Sequence, residues 1–342
     1  MHDTQEEMVR RSRELHTNAG REDVCYAETK TLKRTALELG ADCVGVANPE
    51  AVDARSPDGY GVSPVFDGAR AVLVFGIREA TQGASSARSS KVSWDNKFSR
   101  RGKRTNIGVT LSDTIEDEHG YRAMRFPRIY KEGGMIPYGS LKVMAEEAGL
   151  GRRGINDLIL HPQHGADLNF TAVLTDMPLA YDGGMLAENP CPTEFCRNAY
   201  ENTGTTPCIS ICPVDALDGH IEDGELHSRT YDRPKCASCA MNSGSQRVSK
   251  ELNRILEEDD PERRKMMLYG NDFQRLLENG VIRGMGWAKC FECRRVCPVG
   301  NEEAEAVIAE EVDVEDPTIE DVNAVRRTVM ETETGAWSVA SD

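Results

Sequence analysis

Apolar positions in the first half of the chain follow two different patterns. From Glu28 to Gly40, ETKTLKRTALELG sets Leu32, Ala36 and Leu39 at helical spacing and stops at a glycine, which predicts a helix. ADCVGVA (41–47) and ARAVLVFGI (69–77) are short unbroken apolar runs, the pattern of strands buried on both faces. Asn48-Pro49 closes the first of them. Helix and strand in this order predict an α/β domain. Residues 78–106, rich in Ser, Arg and Lys, read as an irregular insertion. Beyond it, a helix is predicted over about 106–119, a strand over 121–126 and a helix over 140–149 that stops at Gly149. INDLILHP (155–162) and DLNFTAVLTDMPL (167–179) read as the two strands of a hairpin, and 263–280 as one helix. Residues 1–27 carry no clear periodicity and read as an arm or a loose helix. No repeat of solenoid size is present.

Composition narrows the class. A chain of 342 residues that is 39% hydrophobic can bury a large core, yet no apolar run approaches the length of a bilayer span. Arg10-Arg11 matches half of a twin-arginine signal, but no apolar stretch follows it, so a cytoplasmic protein without an export signal is expected. A net charge of −16 disfavours DNA as a non-specific partner. The charge is uneven: the tail from 301 is acid-rich, while 78–104 is basic. Solvated surface is the ordinary reading of both. Lys91, Lys97, Arg100, Arg101, Lys103 and Arg104 make up most of that basic stretch.

Cysteine changes the picture most. Eight of the eleven fall in two constellations that each end in Cys-Pro: Cys191, Cys196, Cys208 and Cys212-Pro213, then Cys236, Cys290, Cys293 and Cys297-Pro298. Cys290-x-x-Cys-x-x-x-Cys297-Pro is the mark of a cubane iron–sulfur site, because tight spacing lets several thiolates of one loop reach one cluster. In two-cluster ferredoxins the cysteine before proline ligates the other cluster. That crossover predicts one [4Fe-4S] cluster on Cys191, Cys196, Cys208 and Cys297, and a second on Cys212, Cys236, Cys290 and Cys293. Cys239 is an alternative to Cys236, and a four-cysteine zinc site on Cys236, Cys239, Cys290 and Cys293 is the competing metal. Cys43, in a predicted strand, is expected to act as a small apolar residue.

The segment between these regions resembles a known family. Ala148-Gly149-Leu150-Gly151, Gly154-Ile155-Asn156 and Leu174-Thr175-Asp176-Met177-Pro178-Leu179, running on into Cys191, are similar to the stretch shared by corrinoid-dependent iron–sulfur reductases, namely reductive dehalogenases and epoxyqueuosine reductases. The likeness covers roughly 30–300. It implies a mixed α/β (α+β) chain: an arm (1–27), a nitroreductase-like corrinoid-binding domain (28–189), a ferredoxin-like domain with two [4Fe-4S] clusters (190–300) and an acidic tail (301–342). It also implies a base-off cobalamin, with Gly149, Leu150, Gly151, Gly154, Asn156, His161, Thr175 and Asp176 as candidate cofactor-binding residues. The ordinary reading of each glycine is turn formation, and that of His161 in HPQHG is a surface turn.

Two departures bear on the substrate. The acidic proton donor of epoxyqueuosine reductases falls here on Met135, and Asp167-Leu168-Asn169 stands where dehalogenases often carry arginines. Tyr138 is therefore the candidate proton donor, with Tyr130 and Tyr121 as rivals and Arg128 as a candidate anion contact. No fused flavin reductase follows the clusters, which implies an external electron donor such as a ferredoxin, flavodoxin or reductase. The leading expectation is a dehalogenase-like oxidoreductase acting on a small organic, organohalide substrate. The alternatives are an epoxyqueuosine-reductase-like enzyme on a modified nucleoside, a corrinoid-free two-cluster electron carrier, and a zinc-bound structural protein.

Overall fold

The computed structural model describes residues 5–79, 100–127, 137–242, 245–281 and 292–300. Its centre is a four-stranded antiparallel sheet in the order β1 (Cys43–Ala47), β2 (Ala71–Arg78), β6 (Leu168–Thr175), β3 (Ala123–Arg125). Helices cover both faces, which is why β2 and the greater part of β6 read as unbroken apolar runs rather than alternations. On one face Leu73, Phe75 and Ile77 pack with Leu32 of α2 (Tyr26–Glu38) and with Ile107, Leu111 and Ile115 of α4 (Arg101–His119). On the other, Val72, Val74, Phe170 and Leu174 pack with Val143 and Met144 of α5 (Leu141–Glu147). Local signals set the ends. Asn48 caps the short α3 (Pro49–Asp53) by accepting from Glu50 N–H, and Ser140 caps α5 by accepting from Val143 N–H. Gly120 ends α4 in the left-handed conformation.

Three sequence expectations are corrected. Segments 155–162 and 167–179 do not form a hairpin with each other. The first contributes β5 (Ile159–Leu160), which pairs with β4 (Arg152–Arg153), while the second supplies β6, an inner strand of the main sheet. Residues 263–280 are two helices, α10 (Pro261–Tyr269) and α11 (Asn271–Val281), because Gly270 takes an extended conformation between them. The N-terminal segment is not a loose arm: α1 (Gln5–Leu15) docks through polar anchors that no hydrophobic periodicity reveals. Ser12 Oγ donates to Glu147 at 2.5 Å, and Asn48 N–H donates to His16 Nε2 at 2.8 Å.

The cysteine-rich part follows. It contains α6 (Glu194–Thr203), α7 (Pro207–Ser210), a hairpin of β7 (Leu217–Glu222) and β8 (Glu225–Tyr231), then α8 (Arg233–Asn242), α9 (Ser245–Leu256), α10, α11 and the short α12 (Glu292–Arg295). No described helix is long and apolar enough to cross a membrane. Met135, Tyr130, Arg128, Lys91, Lys97 and the acidic tail lie outside the described residues.

Candidate functional site

Cys191, Cys196, Cys208 and Cys297 line one cavity together with Ile155, Asn156, Thr206, Pro207, Val296, Pro298 and Val299. Each comes from a different local device. Cys191 sits in the approach to α6, its N–H donating to Asn189. Cys196 lies in the first turn of α6, where Thr193 caps the helix by accepting the Cys196 N–H. Cys208 lies in the single turn of α7, started by Pro207. Cys297 follows α12, its N–H donating to Arg294 carbonyl oxygen. All four are buried. The walls are apolar, so the thiols meet little water: burial pushes Cys191 up to about 12 and Cys208 up to about 11, and raises Cys297 well above the ordinary thiol range. Ligation would expel those protons, the positive charge of a metal offsetting the cost of burying thiolates.

Donors face the sulfurs. Ile155 N–H points to Cys191, Val299 N–H to Cys297, and Thr206 Oγ1 lies 3.3 Å from Cys208 Sγ. The loop bearing Cys297 is seated by two further contacts. Gly165 packs so closely on Val299 that a Cβ there would lie 1.6 Å from the Val299 carbonyl oxygen. Arg294 pairs with Glu79 at 2.5 Å and stands 3.8 Å from Asp167, binding α12 to the end of β2.

The remaining cysteines differ. Cys212, Cys236, Cys239 and Cys293 are half-buried, and Cys290 lies outside the described residues. Ala216 N–H donates to Cys212 Sγ at 3.3 Å. Cys236 is hydrogen-bonded by Tyr231, whose phenol burial and that bond raise above its ordinary value. Among the described residues, no three His, Cys, Asp or Glu side chains stand where a single metal ion would bridge them. The cavity cysteines instead surround a volume, which is what a polynuclear cluster with one thiolate at each corner needs. The residues therefore fit a cubane cluster.

The other candidate residues have neighbours in the chain itself. Gly149, in the left-handed conformation, ends α5, and a Cβ there would stand 3.1 Å from Gly184 carbonyl oxygen. A Cβ on Gly151 would stand 2.5 Å from Leu160 carbonyl oxygen, and one on Gly154 2.5 Å from the Leu160 side chain. Leu150 is core. Thr175 Oγ1 donates to Arg122 carbonyl oxygen, and Asp176 accepts from Arg122 Nε at 2.7 Å, tying β6 to the start of β3. His161 Nδ1 accepts from Gln163 and His164 N–H, and burial lowers its imidazole to about 4. Tyr138 packs half-buried against the α5 face of the sheet. Of this set only Asn156 reaches the cysteine cavity, its Nδ2 donating to Cys293 carbonyl oxygen at 3.5 Å. Arg104, expected on a basic surface, is buried in α4.

Sequence reasoning missed a charged junction. Asp157, held at φ 56°, accepts from Lys142 and Arg229 at 2.5 Å each and stands 3.7 Å from Arg153. It joins α5, β4 and the β7–β8 hairpin beside Asn156. Its position next to the Gly-x-Asn step was the available signal.

No protein-family profile matches the chain. An epoxyqueuosine reductase from Cyclobacterium marinum is 25% identical over 289 residues, covering 79% of this chain and 78% of that protein. Another, from Bacillus cereus, is 28% identical over 144 residues, 39% of this chain and 33% of that one. Among solved structures, a reductive dehalogenase associated with B12-dependent dehalogenation matches 90% of this chain and 41% of its own at 16% identity, with a TM-score of 0.50. The chain is thus similar in sequence to epoxyqueuosine reductases and similar in fold to a reductive dehalogenase. Both names are those of oxidoreductases, as the sequence resemblance predicts. The curated names favour the epoxyqueuosine alternative over the organohalide reading.

Proposed function

We propose that this chain is an iron–sulfur reductase of the epoxyqueuosine-reductase kind, acting on a modified nucleoside with electrons from an external donor. The observation that carries the reading is the convergence of three separated segments, 191–196, 208 and 297, on one buried cavity lined by four thiols. A [4Fe-4S] cluster bound there supplies single-electron transfer. Around it the chain's own residues exclude water and place N–H and O–H donors on the ligating sulfurs. A second cluster on Cys212, Cys236, Cys290 and Cys293 and a base-off corrinoid complete the proposal. The similarity of residues 145–179 to that family supports the corrinoid.

Iron, sulfide, cobalt and zinc are measured on protein purified without oxygen from cells supplied with cobalamin. About eight irons and one cobalt per chain support the reading. Eight irons without cobalt after reconstitution leave a two-cluster electron carrier, and zinc without iron overturns the reading. Met135, in place of the family's acidic proton donor, favours a second substrate class, organohalides. Reduction assays with an epoxyqueuosine-bearing RNA stem loop and a halophenol panel separate the two.

A further inference from the structure

Thr206 occupies the N-cap position of α7, where a threonine ordinarily accepts a backbone N–H from the first helical turn. Here it makes no such cap. The residue is fully buried, and its hydroxyl lies 3.3 Å from Cys208 Sγ instead. Its backbone carbonyl does the helical work, accepting from Ile209 and Ser210 N–H at 3.0 Å each. A side chain has thus been withdrawn from capping and turned into the cysteine cavity, which it helps to line. When Cys208 is a metal-bound thiolate it has no proton to give, so the hydroxyl becomes the donor and the sulfur the acceptor.

Reducing a four-thiolate cubane adds one negative charge to a group that is already anionic. In a buried, apolar cavity that added charge is poorly solvated, which favours the oxidised state. A hydroxyl aimed at a ligating sulfur strengthens as the sulfur gains negative charge, and so favours the reduced state. We propose that Thr206 is a positioning residue that raises the reduction potential of the cluster held by Cys191, Cys196, Cys208 and Cys297. The Ile155 and Val299 N–H groups act on two other sulfurs in the same sense, but they are backbone. Among the described donors to this quartet, Thr206 contributes a side chain that can be removed by substitution without altering the main chain.

The inference rests on the cluster reading above, and the test separates the two. Wild type, Thr206→Val and Thr206→Ser are purified without oxygen, assayed for iron, and titrated electrochemically while the reduced-cluster EPR signals are followed. Thr206→Val keeps the shape and deletes the donor. It is expected to retain wild-type iron while one of the two cluster potentials falls by about 59 mV, a tenfold change in the reduced-to-oxidised ratio for one electron. The second potential stays in place, and Thr206→Ser restores the first. Unchanged potentials in an iron-replete Thr206→Val protein overturn the inference alone. A wild type that binds no iron overturns the cluster reading and this inference with it. If Thr206→Val loses iron, Thr206→Ala makes the same comparison without the steric demand of a branched apolar side chain. A fall in potential that serine does not reverse would mark a packing effect, and would also overturn the inference.

Discussion

The four cysteines of the cavity and the four half-exposed ones lie in one stretch of chain but in different physical settings. Cys191, Cys196, Cys208 and Cys297 are buried, the first, third and fourth among Ile155, Leu160, Ala166, Val296 and Val299, and the loop bearing Cys297 is bound to the segments flanking β2 and β6 by Gly165 and Arg294. Cys212, Cys236, Cys239 and Cys293 are half-buried, Cys236 and Cys239 on α8, Cys293 on α12 and Cys212 just after α7. The buried site also depends on packing of the Cys297 loop against Gly165 and on the Arg294 ion pair, whereas the outer cysteines stand partly open to solvent. The buried quartet should therefore be the site that fails together with the fold, and the outer set the site that can be lost alone.

The largest expected effect comes from the ligands themselves. Cys297→Ala should remove about half of the iron, one cubane of two, and lower the unfolding midpoint, because a metal site formed only in the folded state stabilises it. Cys236→Ala should also remove about half of the iron, with a smaller thermal penalty. Equal penalties, read by iron content and thermal unfolding side by side, would break the contrast between the two regions.

Gly165→Ala should come next. The residue has φ +54°, and its new Cβ would collide with the Val299 carbonyl oxygen two residues after Cys297. Backbone cannot move aside as a side chain can, so the cost should be at least ~1–3 kcal/mol. Iron should be lost from the cavity cluster while the signal of the other remains. Loss of both signals together would mean that the two regions are not separable.

Arg55→Ala should leave both clusters loaded while weakening the scaffold. Arg55 donates to Glu146 and Glu147 at 2.6 Å each, and both carboxylates are buried. Breaking such a pair strands the remaining charge, at roughly 3–5 kcal/mol. Burial alone would push the Glu146 carboxyl up, but Arg55 and Arg153 more than offset it and hold it below the usual carboxylate value. With the folded value depressed, this stability is present above about pH 4.3 and lost as pH falls through the folded value. Urea unfolding of the variant should show a shallower acid-side loss than wild type.

The smallest effect is a pH slope at α1. Burial lowers His16, although the Ser12 carbonyl and Glu147 pull the other way. The unfolded chain then takes up a proton first, so stability is full above about pH 6.5 and declines as pH drops below it. His16→Gln, less stable throughout, should lack that slope in urea unfolding between pH 5 and 7, a window set around ordinary histidine titration.

Much of the scaffold was legible because its signals are local. ALELG stops at a glycine, SLKVMAEE begins at a serine cap, and AVLVFGI is apolar throughout because both of its faces are covered. The errors fall where a partner far along the chain overrides local pattern. DLNFTAVLT looks like half of a hairpin, yet it pairs with β2 and β3, elements encoded some 40 to 100 residues earlier. Residues 1–27 read as an arm or a loose helix because α1 is anchored by Ser12 and His16, polar residues that count as surface in any periodicity.

By itself the sequence determined which residue types could bind iron, since Cys-x-x-Cys-x-x-x-Cys-Pro spacing is a property of one loop. It also determined where the principal helices and strands of the first domain lie, since caps and apolar runs act over a few residues. Only the tertiary structure decided the rest. It made Gly149, Gly151 and Gly154 contacts within the chain, sank one cysteine quartet in apolar surroundings and left the other half-open. It also turned the Thr206 hydroxyl from a helix cap towards a sulfur. Burial and the direction of a hydrogen bond depend on what lies across space, and spacing along the chain does not carry that information.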